Sequence, residues 1–163
     1  MAQISLKKAT MKLKDGTSPT PNSITIKFGQ GNLTYSEKRT MEYLLDRGVV
    51  DEVREGDDVP VDVKFEGKWE YVTAETGDPP TIEDCLKNVG EASDWVSSDS
   101  DACRPYALDI EVTYVPACTG VYNEVITLAD FRWESIDHDL KAGTLSVSGK
   151  CNITKASSSR VAP

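Results

Sequence analysis

The residue types that could perform catalysis are few in this sequence and widely spaced. The chain has one histidine, His138, between Asp137 and Asp139 in an alternating segment. In a strand its side chain would point away from both carboxylates. No serine or cysteine stands in a motif that would make His138 the base for a nucleophile. We therefore predict that the protein is not an enzyme, and we assign no catalytic residue.

The cysteines also lack the spacing of a metal site. Cys85, Cys103, Cys118 and Cys151 include no C-x-x-C pair, whereas structural zinc sites draw on closely spaced Cys and His ligands. Two interpretations stay open. The thiols are reduced and buried, which suits Cys151 in its alternating apolar run, or Cys103 and Cys118 form a disulfide across a strand-like segment.

The acidic and glycine-rich segments also lack the full pattern of a binding site. Asp57-Asp58 and Asp99-Ser-Asp101 could each approach a cation, but the remaining ligands and the glycine of an EF-hand loop are missing. Gly29–Gly31 lacks the lysine and the following helix of a phosphate-binding loop. The sequence therefore predicts no metal and no cofactor, with solvated acids in these loops.

Charge and length exclude further classes. The 163 residues carry 27 acidic and 18 basic side chains, a net charge of −9, and a nucleic-acid reader needs a basic surface instead. No apolar run approaches the ~20 residues of a membrane-spanning helix, and the first residues lack the apolar centre of a signal peptide. This length suits one domain with its own core.

Apolar and polar residues alternate along most of the chain, which is typical of half-buried strands. Strands are predicted around Met11–Leu13, Ile24–Phe28, Val61–Thr73, Tyr106–Val115, Val121–Phe131, Trp133–Leu140 and Thr144–Thr154. Within Val61–Thr73, a three-residue loop at Glu66–Lys68 would pair Phe65 with Trp69 and keep one face apolar. One continuous strand with a bulge is the alternative.

One helix is predicted after Asp78-Pro79-Pro80. Thr81 can cap it, and Glu83 and Asp84 suit its first turn. Its apolar stripe comprises Ile82, Cys85, Leu86 and Val89, and Gly90 is the predicted stop, giving about eight to ten residues. The fold class is therefore mainly β: an antiparallel β-sandwich or barrel with one short flanking α-helix and a long projecting hairpin or loop.

The segment 31–60 departs from a self-contained sandwich. Its apolar and charged residues leave neither strand face suited to a core, so we predict an arm that contacts another subunit. One helical turn over Met41–Asp46, packed on the core, is the alternative. The expected interface residues are Tyr35, Met41, Tyr43, Leu44, Leu45, Arg47, Val49, Val50 and Arg54, with Lys7 and Lys8 from the basic N-terminal region.

These elements are assigned to one β domain over residues 1–155. It includes the arm at 31–60 and an acidic loop at 91–104 around Trp95. The Ser-rich segment 156–163 is predicted to be a flexible tail. Because basic and acidic runs occur in the same chain, they could meet as complementary ends in a head-to-tail assembly.

In this order, the features resemble the major tail tube proteins of long-tailed bacteriophages. The resemblance covers nearly the whole chain. It rests on the segment Gly31–Asp58 ending in REGDDVP, on VDVKFEGKWEY, on GDPPTIEDCLKN with its helix, on PYALDIEV, and on the last strand, TLSVSGKCNITK. Type VI secretion tube proteins share the architecture that this resemblance implies.

The resemblance implies a structural virion protein, with six copies in a ring and rings stacked into a tube that conducts DNA during ejection. Implied partners are other copies of the chain, a tape measure, a terminator, a baseplate or tip protein and, in contractile tails, a sheath. DNA would pass without specific binding, and no membrane is involved. The implied location is the virion tail, assembled in the host cytoplasm. Polar faces of Ile24–Phe28, Leu33–Tyr43 and Val121–Phe131 are the expected lumen lining.

Two interpretations from other classes remain. A secreted or adhesive β-sandwich module would be a stable monomer with a Cys103–Cys118 disulfide and an aromatic binding site at Trp95 or Trp133. An enzyme with a β-sandwich fold is the other, and the lack of a base–nucleophile pair argues against it.

Overall fold

The computed structural model describes residues 9–26, 32–68, 80–116 and 120–162. Within them the chain is mainly antiparallel β, with one short α-helix and one 3-10 turn, which confirms the predicted fold class. The strands are β1 (Ala9–Lys14), β2 (Ser23–Ile26), β3 (Asn32–Ser36), β4 (Met41–Asp46), β5 (Val49–Glu55), β6 (Val61–Lys68), β7 (Leu108–Tyr114), β8 (Asn123–Asp139), β9 (Thr144–Cys151) and β10 (Ser157–Val161). The helix α1 spans Ile82–Lys87, and the 3-10 turn spans Gly90–Ala92.

Eight of the strands form one antiparallel sheet. Its order is β2-β1-β7-β8-β9-β6-β3, and β10 pairs with β8 beside this path. β4 and β5 form a separate two-stranded sheet. The main sheet curls so that β6 approaches β2: a Cβ on Gly67 of β6 would lie 3.3 Å from the side chain of Ile26 in β2, although four strands lie between them in the order.

Side chains that alternate along the strands fill the inside of this curl. Every second residue of β6, β7 and β9 is buried. The rings of Phe65 and Phe131 meet near the centre, with centroids 5.9 Å apart. Met11 and Leu13 of β1 are fully buried, as the period of two predicted.

The predicted loop at Glu66–Lys68 is wrong. β6 runs through these residues and pairs with β9 without a shift from Val61 to Lys68. This favours the alternative of one continuous strand as far as Lys68; Trp69–Thr73 lie outside the described residues. Gly67 is a buried strand residue, and its Cβ would lie 2.8 Å from Ile82 of α1. The glycine lets the helix approach the sheet closely instead of making a turn.

The helix begins as predicted and ends earlier. Thr81 forms a capping box with Asp84: the Thr81 Oγ1 accepts from the Asp84 amide at 3.2 Å, and the Asp84 carboxylate accepts from the Thr81 amide at 3.3 Å. α1 has 6 residues and its C-cap is Asn88 in the left-handed conformation, two residues before the predicted stop at Gly90. The assignment of Val89 to the buried stripe is wrong, because Val89 lies beyond this cap and is 47% exposed.

The two segments predicted as Val121–Phe131 and Trp133–Leu140 form one strand, β8. Its first part pairs with β7 and its second part with β9. A bulge bends it where Asp130 adopts a positive φ of 56°. The Asp109 carboxylate accepts from the Asp130 amide at 3.0 Å, which fixes the bend.

The chain end and the thiols also differ from expectation. The predicted free tail is wrong for Ser157–Val161, which form β10 and pair with β8. Cys85 and Cys151 are buried free thiols, and Cys103 is an exposed free thiol. The interpretation that Cys103 forms a disulfide therefore has no support. Cys118, like Lys7, Lys8, Phe28 and residues 69–79, lies outside the described residues.

Candidate assembly surface

The predicted arm contains a hairpin that stands apart from the main sheet. β4 and β5 pair only with each other among the described strands. Arg47 and Gly48 turn the hairpin with φ values of 49° and 85°, the positive pair that a two-residue primed turn requires. The alternative of a helical turn over Met41–Asp46 is therefore wrong. We call Met41–Glu55 the β4–β5 hairpin.

A bulge places five apolar residues of the hairpin on one face. Tyr43 lies opposite Val53 and Leu44 opposite Glu52, but Leu45 lies opposite Val50, so Asp51 is an extra residue in β5. Because opposite residues share a face and alternate residues repeat it, this extra residue brings Val50 to the side of Tyr43, Leu45 and Val53. We call this side the apolar face; its apolar residues are Met41, Tyr43, Leu45, Val50 and Val53, and Glu55 lies opposite Met41 at the end of this face.

The apolar face is open to solvent in the single subunit. Tyr43 is 60% exposed, Leu45 63%, Val50 54% and Val53 47%. An isolated two-stranded hairpin is marginally stable in water, and three or more strands or a covering element are needed for independent stability. An exposed apolar surface of this kind is typical of a site that contacts another molecule.

The opposite side of the hairpin is mostly charged. Glu42, Asp46, Glu52 and Arg54 lie on it, together with Leu44 and Val49. Arg54 donates from Nε and Nη2 to the two carboxylate oxygens of Glu52, at 3.0 and 2.9 Å, and this hydrogen bonding raises the pKa of Arg54. These charges keep one side of the hairpin soluble.

The base of the hairpin holds its two connecting segments together. The Gly56 amide donates to the Thr40 carbonyl at 2.8 Å. A Cβ on Gly56 would lie 2.8 Å from Thr40 Cγ2, so glycine allows the two segments to cross closely. Lys38 and Lys150 flank Asp62 at 3.7 and 4.0 Å beside this base.

The structure divides the predicted interface residues into three groups. Met41, Tyr43, Leu45 and Val50 lie on the apolar face; Leu44, Val49 and Arg54 lie on the charged side; and Arg47 is in the turn. Tyr35 belongs to none of these groups, because residues 32–36 of the predicted arm form β3 of the main sheet, where Tyr35 lies opposite Val63 of β6. Lys7 and Lys8 are outside the described residues.

Val53 is the member of the apolar face that sequence reasoning missed. It lies between Glu52 and Arg54, and strict alternation from Val49 gives Val49, Asp51 and Val53 on one side. Only the bulge at Asp51 places Val53 with Val50. The signal in the sequence was the pair of adjacent valines, Val49 and Val50, followed by a polar pair.

The acidic loop is held by its own ion pairs. The Asp99 carboxylate accepts from Arg132 Nη2 at 2.8 Å, from Arg104 Nη1 at 3.3 Å and from the Asp101 amide at 3.0 Å. The amide and Arg132 hydrogen bonds lower the pKa of Asp99 to about 2. Among the described residues no group of three or more His, Cys, Asp or Glu side chains could hold a metal ion.

His138 lies on the same side of the molecule as the helix. Its Nε2 is 3.2 Å from Glu83 Oε2, and Glu83 also pairs with Lys87. The hydrogen bond from Lys87 lowers the pKa of Glu83 most, with His138 adding to the effect. This arrangement ties the end of β8 to α1.

A second anchor lies in the loop after β1. The buried Asp15 carboxylate accepts from the amide and hydroxyl of Thr17, at 3.1 and 2.6 Å, from the amide and side chain of Asn22, at 2.7 and 2.9 Å, and from the Val96 amide at 3.3 Å. Burial raises the pKa of Asp15, but these hydrogen bonds together outweigh it and lower the pKa. The network joins the 15–22 loop to the acidic loop.

Comparison with known proteins yields distant likeness only. No family model and no curated protein matches the chain. A chain in the cryo-EM structure of the anti-feeding prophage (AFP) baseplate, 6-fold symmetrised, is similar at 10% identity and a TM-score of 0.47, over 98% of this chain and 97% of that one. At that TM-score the likeness assigns neither a family nor a function. No helix in the described ranges is long and apolar enough to span a membrane.

Proposed function

We propose that the protein is the structural subunit of a phage-type tail tube. Copies of the chain close into a ring, which the family resemblance sets at six, and rings stack into a tube that conducts DNA. The observation that carries this proposal is the β4–β5 hairpin, a separate sheet whose apolar face has no cover in the single subunit. In the tube, that face packs on a neighbouring copy and gains the cover that an isolated hairpin needs.

The edges of the main sheet support the ring. β2 and β3 end the strand order, and each has one side without a partner strand in the described part of the chain. Unpaired strand edges are hazards in a monomer, and pairing them with another chain removes the hazard. A contact of one patch with a different patch on the next copy closes into a ring or extends into a filament, depending on the rotation.

The net charge of −9 supports the role as a DNA conduit. A wall that holds phosphate would slow the passing strand, whereas a negative or neutral wall repels it. Other tail proteins, namely a tape measure, a terminator and a baseplate or tip protein, would meet the ends of the tube. The protein would act in the virion tail after assembly in the host cytoplasm.

The alternative of an adhesive binding module has less support. It requires an accessible aromatic site, but Trp95 is only 8% exposed and belongs to the core cluster. It also favours a Cys103–Cys118 disulfide, whereas Cys103 is a free thiol. Trp133, at 40% exposure, stands without a second aromatic ring in contact among the described residues.

The proposal is tested by removing the hairpin from the subunit. Replacing Met41–Glu55 by an Asn-Gly turn joins Thr40 to Gly56, which are already hydrogen-bonded. We expect the intact chain to sediment as rings or longer polymers as its concentration rises, and the variant to remain folded without forming polymers. Circular dichroism checks the fold of the variant. Equal polymerisation of both chains would contradict the assignment of the hairpin.

A further inference from the structure

The last strand, β10, is attached to the surface of the subunit without contributing to its core. Ser157–Val161 pair with Asn123–Thr127 of β8, and all five side chains of β10 are exposed. Ser158 and Arg160 lie opposite Ile126 and Glu124, on the face of the sheet that carries the core farther along β8. Ile126 itself packs against the core, but the side chains of Ser158 and Arg160 beside it are exposed, so β10 adds no buried side chain to that face.

Backbone pairing and one acidic residue hold β10 in place. Ser158 Oγ donates to Glu124 Oε1 at 3.0 Å, and Arg160 Nε lies 3.5 Å from Glu124 Oε2. Arg160 is 79% exposed in its side chain, and such a pair contributes little to stability. Segments with few buried contacts and exposed hydrogen bonds open at low cost.

β10 covers an edge of β8 whose residues favour strand pairing more than the residues of β10 do. β8 offers Val125, Ile126 and Thr127 there, all β-branched and half-buried, against three successive serines in β10. The opposite edge of the same stretch is already paired with β7. Opening β10 would therefore expose a single strand edge that favours a replacement strand.

The connection between β9 and β10 is short. The Asn152 amide donates to the Asp130 carbonyl at 3.3 Å, and the Ile153 carbonyl accepts from the Val61 amide at 3.1 Å. Only Thr154, Lys155 and Ala156 follow before β10, a span of about 10 Å when extended. A short hinge beside a loosely held terminal strand is a common setting for exchange between copies.

We propose that β10 is exchanged between subunits in the assembled protein: Ser157–Val161 of one copy pair with Asn123–Thr127 of the next. This inference rests on the proposed self-assembly and names a second contact, separate from the β4–β5 hairpin. The exchanged ladder contains the same backbone hydrogen bonds and the same Glu124 contacts as the single subunit, so exchange leaves the subunit intact and links it to its neighbour.

A cysteine pair reports which chain supplies β10. Val125→Cys and Ser159→Cys are opposite residues on the face away from the core, and the Cα separations of opposite residues, ~4.5–5.5 Å, fit a disulfide. Cys103→Ser and Cys118→Ser remove the native thiols that could interfere. Cys85 and Cys151 stay, because burial raises the pKa of each to about 12 and leaves them unreactive.

The protein is assembled first, then oxidised, denatured and run on a gel without reductant. Exchange predicts a ladder of covalently linked chains and loss of the monomer band. The control pair Ser135→Cys and Ser148→Cys joins β8 to β9 inside one subunit and should give monomer only. A second sample of the test pair, oxidised while dilute and monomeric, should close within each chain and then fail to assemble.

Three results would overturn the proposal. Assembled protein in which the test pair closes only within single chains would refute exchange and leave the proposed function standing, as would a dilute-oxidised sample that assembles normally. A parent chain that stays monomeric at every concentration would refute both.

Discussion

Leu44 and Leu45 are adjacent leucines on opposite sides of the β4–β5 hairpin, and this makes them a matched pair of probes. Leu45 lies on the apolar face, opposite Val50, whereas Leu44 lies opposite Glu52 on the charged side. If the apolar face packs on a neighbouring copy, Leu45→Ala should weaken assembly and Leu44→Ala should not. Both variants remove the same atoms, so propensity and size are matched.

The expected effect follows from the surface that Leu45 has available. Replacing leucine by alanine removes three carbon atoms. At ~0.8 kcal/mol per buried carbon group, their complete burial is worth about 2.4 kcal/mol of transfer free energy. Leu45 is 63% exposed in the single subunit, so its burial in a contact recovers roughly 1.5 kcal/mol of that amount. Since ~1.4 kcal/mol corresponds to a factor of ten, Leu45→Ala should raise the critical concentration for polymerisation about tenfold.

The assay is a sedimentation series across protein concentrations for the two variants and the parent chain. Thermal unfolding of each monomer checks the fold; since both leucines are exposed, neither substitution should change the midpoint much. Equal shifts in critical concentration for Leu44→Ala and Leu45→Ala would refute the division of the hairpin into two faces. No shift for either would remove the hairpin from the assembly contact.

Three further outcomes test the fold. Asp99 has a folded-state pKa below its unfolded value, so the stability that its ionised form contributes is present above about pH 4 and is lost as the pH falls toward about 2. The difference in melting temperature between the parent chain and Asp99→Asn should therefore shrink over that window, with the exposed Asp101→Asn as control. A difference independent of pH would contradict the assignment. Gly67→Ala should lower the free energy of unfolding by about 1–3 kcal/mol, because the new Cβ meets a side chain that can move. A Cβ on Gly149 would lie 2.1 Å from a backbone carbonyl oxygen, so Gly149→Ala should lower the free energy of unfolding more, as measured by chemical denaturation. The reverse order would contradict this packing. Ending the chain after Ala156, which packs against the core, should leave monomer unfolding nearly unchanged and impair assembly. An unfolded product would place β10 in the folding core.

The alternation of apolar and polar residues was enough to predict most of the strands. Met11, Leu13 and the alternate residues of β6, β7 and β9 are buried because a sheet with one covered face forces alternation. The helix start was equally local, because Thr81 and Asp84 satisfy the free amides of the first turn by themselves.

The errors arose where tertiary contacts decide. Gly67 carries a turn signal in sequence, but its lack of a side chain serves the approach of Ile82, which lies far along the chain. Asn88 ended the helix before Gly90 could, and residue types alone rank glycine first for that position. β10 was missed because three serines and an arginine show no apolar period, and its pairing rests on the backbone.

The assembly surface was predicted in part. The sequence predicted an arm over residues 31–60, and the structure shows a separate two-stranded hairpin within it at Met41–Glu55. Which of these residues share a face depends on the extra residue Asp51, and a bulge of this kind depends on strand pairing that period alone does not specify. The interface itself stays a prediction until an assembly is observed.

Negative-stain electron microscopy of the purified protein alone tests the central claim most directly. Across a rising concentration series, the proposed function predicts rings and stacked tubes with a central channel and a constant diameter. A strictly monomeric particle at every concentration, with no ring or tube on the grid, would contradict it.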